Sequence, residues 1–237
     1  MNAFPGWFRV FVLLAAGALV MTAAPPLLEA LAAPGVPAMW WAARAFGLLA
    51  YVALWLSALF GVFVAGRGAG GLLDRATVLA LHDHWALAAL VATALHVLAV
   101  VGDPRSGVGP LAAALPLASA KLRGPVALGT FALWGMIAVA ATTAMMRALP
   151  PLVWRAVHAT AFGTLVLALV HGAAAGSESG TTSARALYAG TTATLLGAVL
   201  QRLALAARRP ATAGPDPTRS APAGGARHMV QEKGGSR

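Results

Sequence analysis

Histidine is the residue type in this chain with the clearest capacity for chemistry, because imidazole nitrogens ligate metals and exchange protons near neutral pH. Five of the six histidines lie in or at the ends of two apolar segments, with His82, His84 and His96 in one and His158 and His171 in the other. An ionisable residue at membrane depth is costly and usually faces the interior of a helix bundle, where it serves a function. An interhelical hydrogen bond explains one histidine equally well, but paired spacings favour ligands.

The spacing of these histidines is nearly the same in both segments. His82 and His96 are 14 residues apart, and His158 and His171 are 13 apart. In helices these separations are about 21 Å and about 20 Å, so the two levels fit near opposite faces of a hydrocarbon core about 30 Å thick. Both segments are predicted to run from inside to outside, so each helix supplies one histidine to each level. Two facing imidazoles are the ligand set of a six-coordinate b-type haem.

Helical phase distinguishes these candidates further. Fourteen residues at about 100° each return to within about 40° of the starting face, whereas thirteen leave a mismatch of about 140°. The second histidine segment is therefore expected to contain a π-bulge, a bend or local unwinding, with Gly163 as a candidate position. His84 is 12 residues from His96 and about 120° away in phase. This favours His82 as the ligand and places His84 near the interface.

A non-haem metal is the competing interpretation. A compact zinc or iron site needs histidines at i, i+3 or i, i+4, or several carboxylates. Only the run from His82 through Asp83 to His84 is compact, and residues at i and i+2 do not face each other on a helix. The chain has no cysteine, which excludes disulfides, thiolate ligation and covalently attached c-type haem.

The composition identifies the kind of chain that positions these residues. Of 237 residues, 59% are hydrophobic and only 10% are charged, and the mean hydropathy is +0.76. Soluble domains carry about 25% charged residues, so a soluble enzyme, a nucleic-acid module and a disordered protein are excluded for the chain as a whole. The net charge of +10 comes from arginines between apolar segments and in the tail, without a basic patch interleaved with aromatics. We therefore predict an integral membrane protein that binds no nucleic acid.

Six apolar segments approach the 20 or so residues that cross a bilayer. They cover residues 7–24, 39–65, 77–101, 126–146, 157–173 and 184–206. The first also resembles a signal peptide, with Arg9 before its apolar core and small residues at 22–24, but a retained span is favoured. The predicted fold is an all-α bundle of six transmembrane helices over residues 1–206, followed by a disordered cytoplasmic tail at 207–237. Eight Lys and Arg residues inside against five outside favour an N-in, C-in topology.

Two connections between the spans need separate interpretation. Residues 66–71 match G-x-G-x-x-G, but they follow an apolar helix without a βαβ pattern, so a cytoplasmic turn is favoured over dinucleotide binding. Residues 102–124 form the longest outside connection, in which residues 111–120 are compatible with a short interfacial helix. The tail of roughly 30 residues is too short for a flavin or nicotinamide domain.

Two segments resemble ferric reductase-like transmembrane proteins. The segment LHDHWALAALVATALHVLAVVGD is similar to the third span of that family, in which a second histidine follows the first by 14 residues. The segment LPPLVWRAVHATAFGTLVLALVHG resembles the fifth span, which W-R-x-x-H opens and H-G closes. The resemblance covers about residues 40–206, and the family includes NADPH oxidases, ferric reductases and the haem subunit of a bacterial methionine sulfoxide reductase system.

This resemblance implies two b haems stacked across the membrane. His82 and His158 would then hold the cytoplasmic-side haem, and His96 and His171 the outer one. It also implies an oxidoreductase membrane subunit in a bacterial-type plasma membrane, supplied with electrons by a separate flavoprotein or a quinol.

Haem propionates need cationic or hydrogen-bonding partners. Arg75 and Arg155 lie near the inner histidines in the sequence, and Lys121 and Arg123 lie on the predicted outer side. Topological anchoring explains these cations equally well. Two further functions stay open, namely a haem carrier or sensor without redox turnover and a transporter with a histidine proton relay.

Overall fold

A computed structural model describes residues 37–65 and 73–207. Within those ranges the chain is entirely helical and contains no strand. Seven helices follow one another: α1 (Ala38–Ala65), α2 (Arg75–Gly102), α3 (Pro110–Ala114), α4 (Arg123–Ala144), α5 (Pro151–Ala159), α6 (Ala161–Ala175) and α7 (Thr182–Ala207). The first predicted span, the glycine-rich turn at 66–71 and the tail from residue 208 lie outside the described residues. The predicted all-α class is confirmed for the described part.

Four helical stretches are long and apolar enough to cross a membrane. They are α1, α2, α4 and the combined stretch Pro151–Ala175, which joins α5 and α6. Many of their large apolar side chains, such as Leu87, Leu98 and Phe131, are exposed, as expected of helices that face lipid. These helices indicate a membrane protein in a lipid bilayer.

The sixth predicted span corresponds to α7, whose bounds lie close to the predicted 184–206. This helix is not among the four helical stretches that are apolar enough to cross a membrane. It is 26 residues long but carries arginines, a glutamine and several threonines in its sequence TSARALYAGTTATLLGAVLQRLALAA, which lower its hydropathy. The total of six spans and the N-in, C-in orientation remain predictions.

Small side chains make the closest helix contacts. Ala53 of α1 and Ala89 of α2 are completely buried against each other and against Met136 of α4. Small residues at such contacts allow membrane helices to approach closely, which compensates for the weak hydrophobic drive between helices in lipid. The helix α1 packs along α2 and also contacts α6 and α7, while α4 packs against α6.

The connection between α2 and α4 positions the start of α4. Its helix α3 has only five residues, fewer than the predicted 111–120, because Pro116 follows it and Leu117 adopts a positive φ of 66°. Trp134 Nε1 donates a hydrogen bond of 2.8 Å to Ala114 O, which fastens α3 to α4.

The predicted irregularity in the second histidine segment lies at Thr160 rather than at Gly163. Thr160 separates α5 from α6, and both its backbone N–H and its hydroxyl donate to Val157 O, at 3.0 Å and 2.7 Å. This bond to the third preceding residue is typical of 3₁₀ geometry, in which each residue advances about 120° instead of about 100°. The tighter turn reduces the phase mismatch between His158 and His171.

Candidate functional site

The four predicted ligand histidines meet as two pairs. The rings of His82 and His158, called the inner pair, have centroids 6.0 Å apart. The rings of His96 and His171, called the outer pair, have centroids 6.2 Å apart. Each pair joins one histidine of α2 to one from the α5–α6 stretch, as the sequence predicts. The labels inner and outer follow the predicted orientation.

Three of these rings are hydrogen-bonded through Nδ1 to a backbone carbonyl oxygen of another helix. The Nδ1 atoms of His96, His171 and His82 lie 2.6 Å, 2.8 Å and 2.8 Å from the carbonyl oxygens of Ala43, Pro125 and Ser57. A carbonyl oxygen only accepts, so Nδ1 carries the proton and donates it. In the neutral tautomer with its proton on Nδ1, the other nitrogen, Nε2, has the free lone pair that binds a metal.

A glycine lies beside each of these three rings. A Cβ added at Gly129 would be 2.7 Å from Nδ1 of His171, and one at Gly47 would be 2.9 Å from Nδ1 of His96. At Gly61 the corresponding distance to His82 is 3.3 Å. Each ring therefore occupies a notch in a neighbouring helix that a larger residue would close.

The anchoring carbonyl and the glycine share one spacing in all three cases. The carbonyl residues are Ala43, Ser57 and Pro125, and the glycines Gly47, Gly61 and Gly129 each follow four residues later. A helical carbonyl points toward the residue four positions on, so a glycine there opens the side of the helix to a donor. These glycines were not predicted from the sequence, because only the packing of the helices identifies the carbonyl residues that they follow.

His158 is held differently from the other three. Its Nδ1 lies 3.5 Å from the hydroxyl oxygen of Thr143, a long contact, and Trp154 stacks on its ring at 5.2 Å between centroids. The indole Nε1 of Trp154 is buried without a hydrogen-bond partner among the described residues. An unsatisfied buried donor costs about 1–3 kcal/mol. The inner pair thus combines one firmly anchored ring with one loosely anchored ring.

The helices that carry each pair are not in close contact with each other. Within the described ranges, α2 packs on α1, whereas neither α5 nor α6 packs its backbone closely against α2. The paired imidazoles therefore approach each other from helices whose backbones are not closely packed together.

The ring separations match the spacing that a shared metal requires. Two imidazoles bound on opposite sides of one ion, with metal–nitrogen distances of about 2.0–2.1 Å, have centroids roughly 6.2 Å apart. The described residues contain no cluster of three or more His, Asp or Glu side chains that could hold a metal. Each level thus supplies two nitrogen ligands, which fits the axial pair of a haem better than a tetrahedral site.

His84 does not join either pair. Its ring is exposed, and its Nδ1 lies 2.8 Å from Ala80 O on the same helix. The neighbouring Asp83 is also exposed. This placement agrees with the helical phase, which favours His82 over His84 as the ligand.

The predicted cationic residues lie outside the two histidine pairs. Arg75 begins α2 and Arg155 follows Trp154 in α5, and both are exposed. Lys121 donates to Arg105 O and Arg123 donates to Leu117 O, so these two cations fasten the α3 connection.

Arg44 is a further residue near the outer pair that sequence reasoning did not select. It contacts Glu178 and Ser177 in the connection between α6 and α7, and its guanidinium lies 4.1 Å from the ring centroid of Trp40. Arg44 follows Ala43, whose carbonyl holds His96. The contacts of Arg44 therefore fix this end of α1 against the connection that follows α6.

An apolar groove lies elsewhere, between α1, α6 and α7. It has a volume of about 640 Å³ and apolar walls, with Tyr51, Trp55 and Thr191 among its lining residues. Tyr51 and Thr191 hydrogen-bond through their hydroxyls at 2.6 Å. No histidine lines this groove, so it is separate from the candidate site.

No family model matches the chain, and no curated protein or solved structure matches it either. The fold and the site define a class, a membrane protein that is helical over residues 37–65 and 73–207 and has two histidine pairs between its helices.

Proposed function

We propose that this protein is a transmembrane b-type cytochrome that passes electrons across the membrane through two bis-histidine haems. The observation that carries the proposal is the pair geometry, in which ring centroids lie 6.0 Å and 6.2 Å apart at two levels. His82 and His158 would hold the inner haem, and His96 and His171 the outer one. A bound haem supplies a one-electron couple between ferric and ferrous iron.

The chain's own residues prepare both levels for this role. The carbonyls of Ala43, Ser57 and Pro125 accept the Nδ1 protons, which fixes three rings and increases the basicity of Nε2. The glycines beside those rings keep each helix close enough for its carbonyl to reach the imidazole. Leucine, valine and alanine dominate the surrounding helices and exclude water, which lowers the local dielectric constant.

The remaining parts of the proposal concern topology and partners. A six-span bundle with both ends in the cytoplasm would place the inner pair near the side where a flavoprotein or a quinol delivers electrons. Arg75, at the start of α2, and Arg155, within α5, would then be candidate partners of the inner propionates. The resemblance to ferric reductase-like proteins supports a bacterial-type plasma membrane and an oxidoreductase complex with a separate donor.

Haem stoichiometry is the first expected result. Two pairs of imidazoles predict about two non-covalent b haems for each purified chain, both extractable with acidic acetone and both low-spin. The measurement is the oxidised-minus-reduced absorption spectrum together with a haem count per chain. Covalent haem would contradict the proposal, and a colourless protein would favour a proton-relay transporter. Haem that quinols or flavoproteins fail to reduce in membranes would favour a carrier or sensor.

The choice between His82 and His84 provides a second expected result. His82→Ala is expected to lose the inner haem, because it removes the ring opposite His158. The matched variant His84→Ala is expected to keep both haems, since His84 bonds to Ala80 O of its own helix and is exposed. Haem content per chain in the two variants is the measurement, and the reverse pattern would move the ligand to His84.

A further inference from the structure

One buried hydrogen-bond donor beside the inner pair has no acceptor among the described helices. Trp154 Nε1 is buried and lacks a hydrogen-bond partner in residues 37–65 and 73–207. By contrast, Trp55 Nε1 donates to Thr191 O at 2.9 Å and Trp134 Nε1 donates to Ala114 O at 2.8 Å. Buried donors are almost always paired, so an orphan beside a binding site points to an acceptor on the bound group.

The position of Trp154 ties this donor to His158. The two residues are four apart on α5, so they share one face of the helix. Their rings stack at 5.2 Å between centroids with 30° between their planes. The indole therefore belongs to the immediate surroundings of any group that His158 binds.

We propose that Trp154 Nε1–H donates a hydrogen bond to a propionate carboxylate of the haem at the inner pair, an inference that rests on the proposed function. A carboxylate only accepts and an indole N–H only donates, so the two groups are complementary. A hydrogen bond to a charged acceptor is about twice as strong as a neutral one. Arg155, the next residue, is exposed and adds a positive charge to the same turn of α5.

Stacking alone is the competing role for Trp154, and it does not need the N–H group. Phenylalanine keeps an aromatic ring against His158 but has no donor, whereas leucine removes both the ring and the donor. Trp154→Phe and Trp154→Leu therefore separate the hydrogen bond from the stack. Trp134→Phe is the matched control, because it removes an indole N–H that is bonded away from the inner pair.

The test uses the full chain with His96→Ala, which leaves only the inner haem. Each tryptophan variant is added to this parent, and the transfer of haem to excess apomyoglobin is followed by absorption. Trp154→Phe is expected to release haem at least about tenfold faster than the parent, as loss of a hydrogen bond to a charged group implies. Trp134→Phe is expected to release haem at the rate of the parent.

Reconstitution with haem dimethyl ester identifies the acceptor. Esterification removes the propionate charge, so it is expected to speed haem release from the parent by a similar factor and to have little effect in Trp154→Phe.

Equal ester effects in the two proteins would overturn the assignment to a propionate. Equal release from the parent and Trp154→Phe, with faster release from Trp154→Leu, would leave stacking as the sole role. If the chain without substitutions binds no haem, the proposed function itself fails, which is a different result.

Discussion

Replacing His171 with alanine is expected to remove the same haem as replacing His96, and to leave the other haem in place. The reason is that these rings face each other 6.2 Å apart, although they are carried by different helices. His158→Ala is expected to remove the other component, because His158 lies opposite His82 at 6.0 Å. Each single variant should fall from about two haems to about one, since no third His, Asp or Glu joins either pair among residues 37–65 and 73–207.

Redox titration followed by absorption distinguishes the two haems in these variants. His96→Ala and His171→Ala should retain a component with the same midpoint potential and spectrum, and His158→Ala should retain the complementary one. His84→Ala is the control, with both components present. If His96→Ala and His158→Ala lost the same haem, the pairing of His96 with His171 and of His82 with His158 would be refuted.

Adding a single methyl group at Gly129 is expected to weaken haem binding at the outer pair. In Gly129→Ala the new Cβ would lie 2.7 Å from Nδ1 of His171, so the ring must leave its bond with Pro125 O. Forcing extra volume into a packed contact costs about 1–3 kcal/mol, which corresponds to roughly 5- to 150-fold weaker haem binding. Spectroscopic titration of the outer haem into the apoprotein measures this change.

The other notch glycines provide a graded comparison. Gly47→Ala, with 2.9 Å to Nδ1 of His96, should also weaken the outer haem, whereas Gly61→Ala, at 3.3 Å from His82, should weaken the inner haem only about two- to threefold. Gly163→Ala is the matched control, since a Cβ at Gly163 meets nothing within 4 Å. Equal effects at Gly129 and Gly163 would show that helix propensity, rather than contact with histidine, determines haem binding.

The sequence predicted the histidine-bearing helices well because their signals are local. The bounds of α2 lie within two residues of the inferred 77–101, whereas the stretch Pro151–Ala175 begins six residues before the inferred 157 and ends two after 173. The pairing follows from the histidine spacing along these two stretches. The notches at Gly47 and Gly129 were not predicted, since each depends on which helix faces which histidine. That information is tertiary and does not appear in the periodicity of one segment.

The break at Thr160 shows a different limit of sequence reasoning. Phase arithmetic required an irregularity between His158 and His171, but glycine was the expected position because it lacks a Cβ. The break instead uses the hydroxyl of Thr160, which bonds to Val157 O. A threonine inside an apolar helix usually makes such a bond without ending it, so the residue type alone could not locate the break.

The hydrogen bonds from α2 to α1 require the same spacing of bonded residues along both helices. Ala43 and Ser57 are 14 residues apart, as are His96 and His82, and the two helices run antiparallel. An insertion or deletion between the two levels of α1 would turn one carbonyl about 100° away from its histidine. A change in the number of residues between the two levels is therefore compatible with both histidine pairs only when α1 and α2 change by the same amount. The two helices together set the distance between the levels.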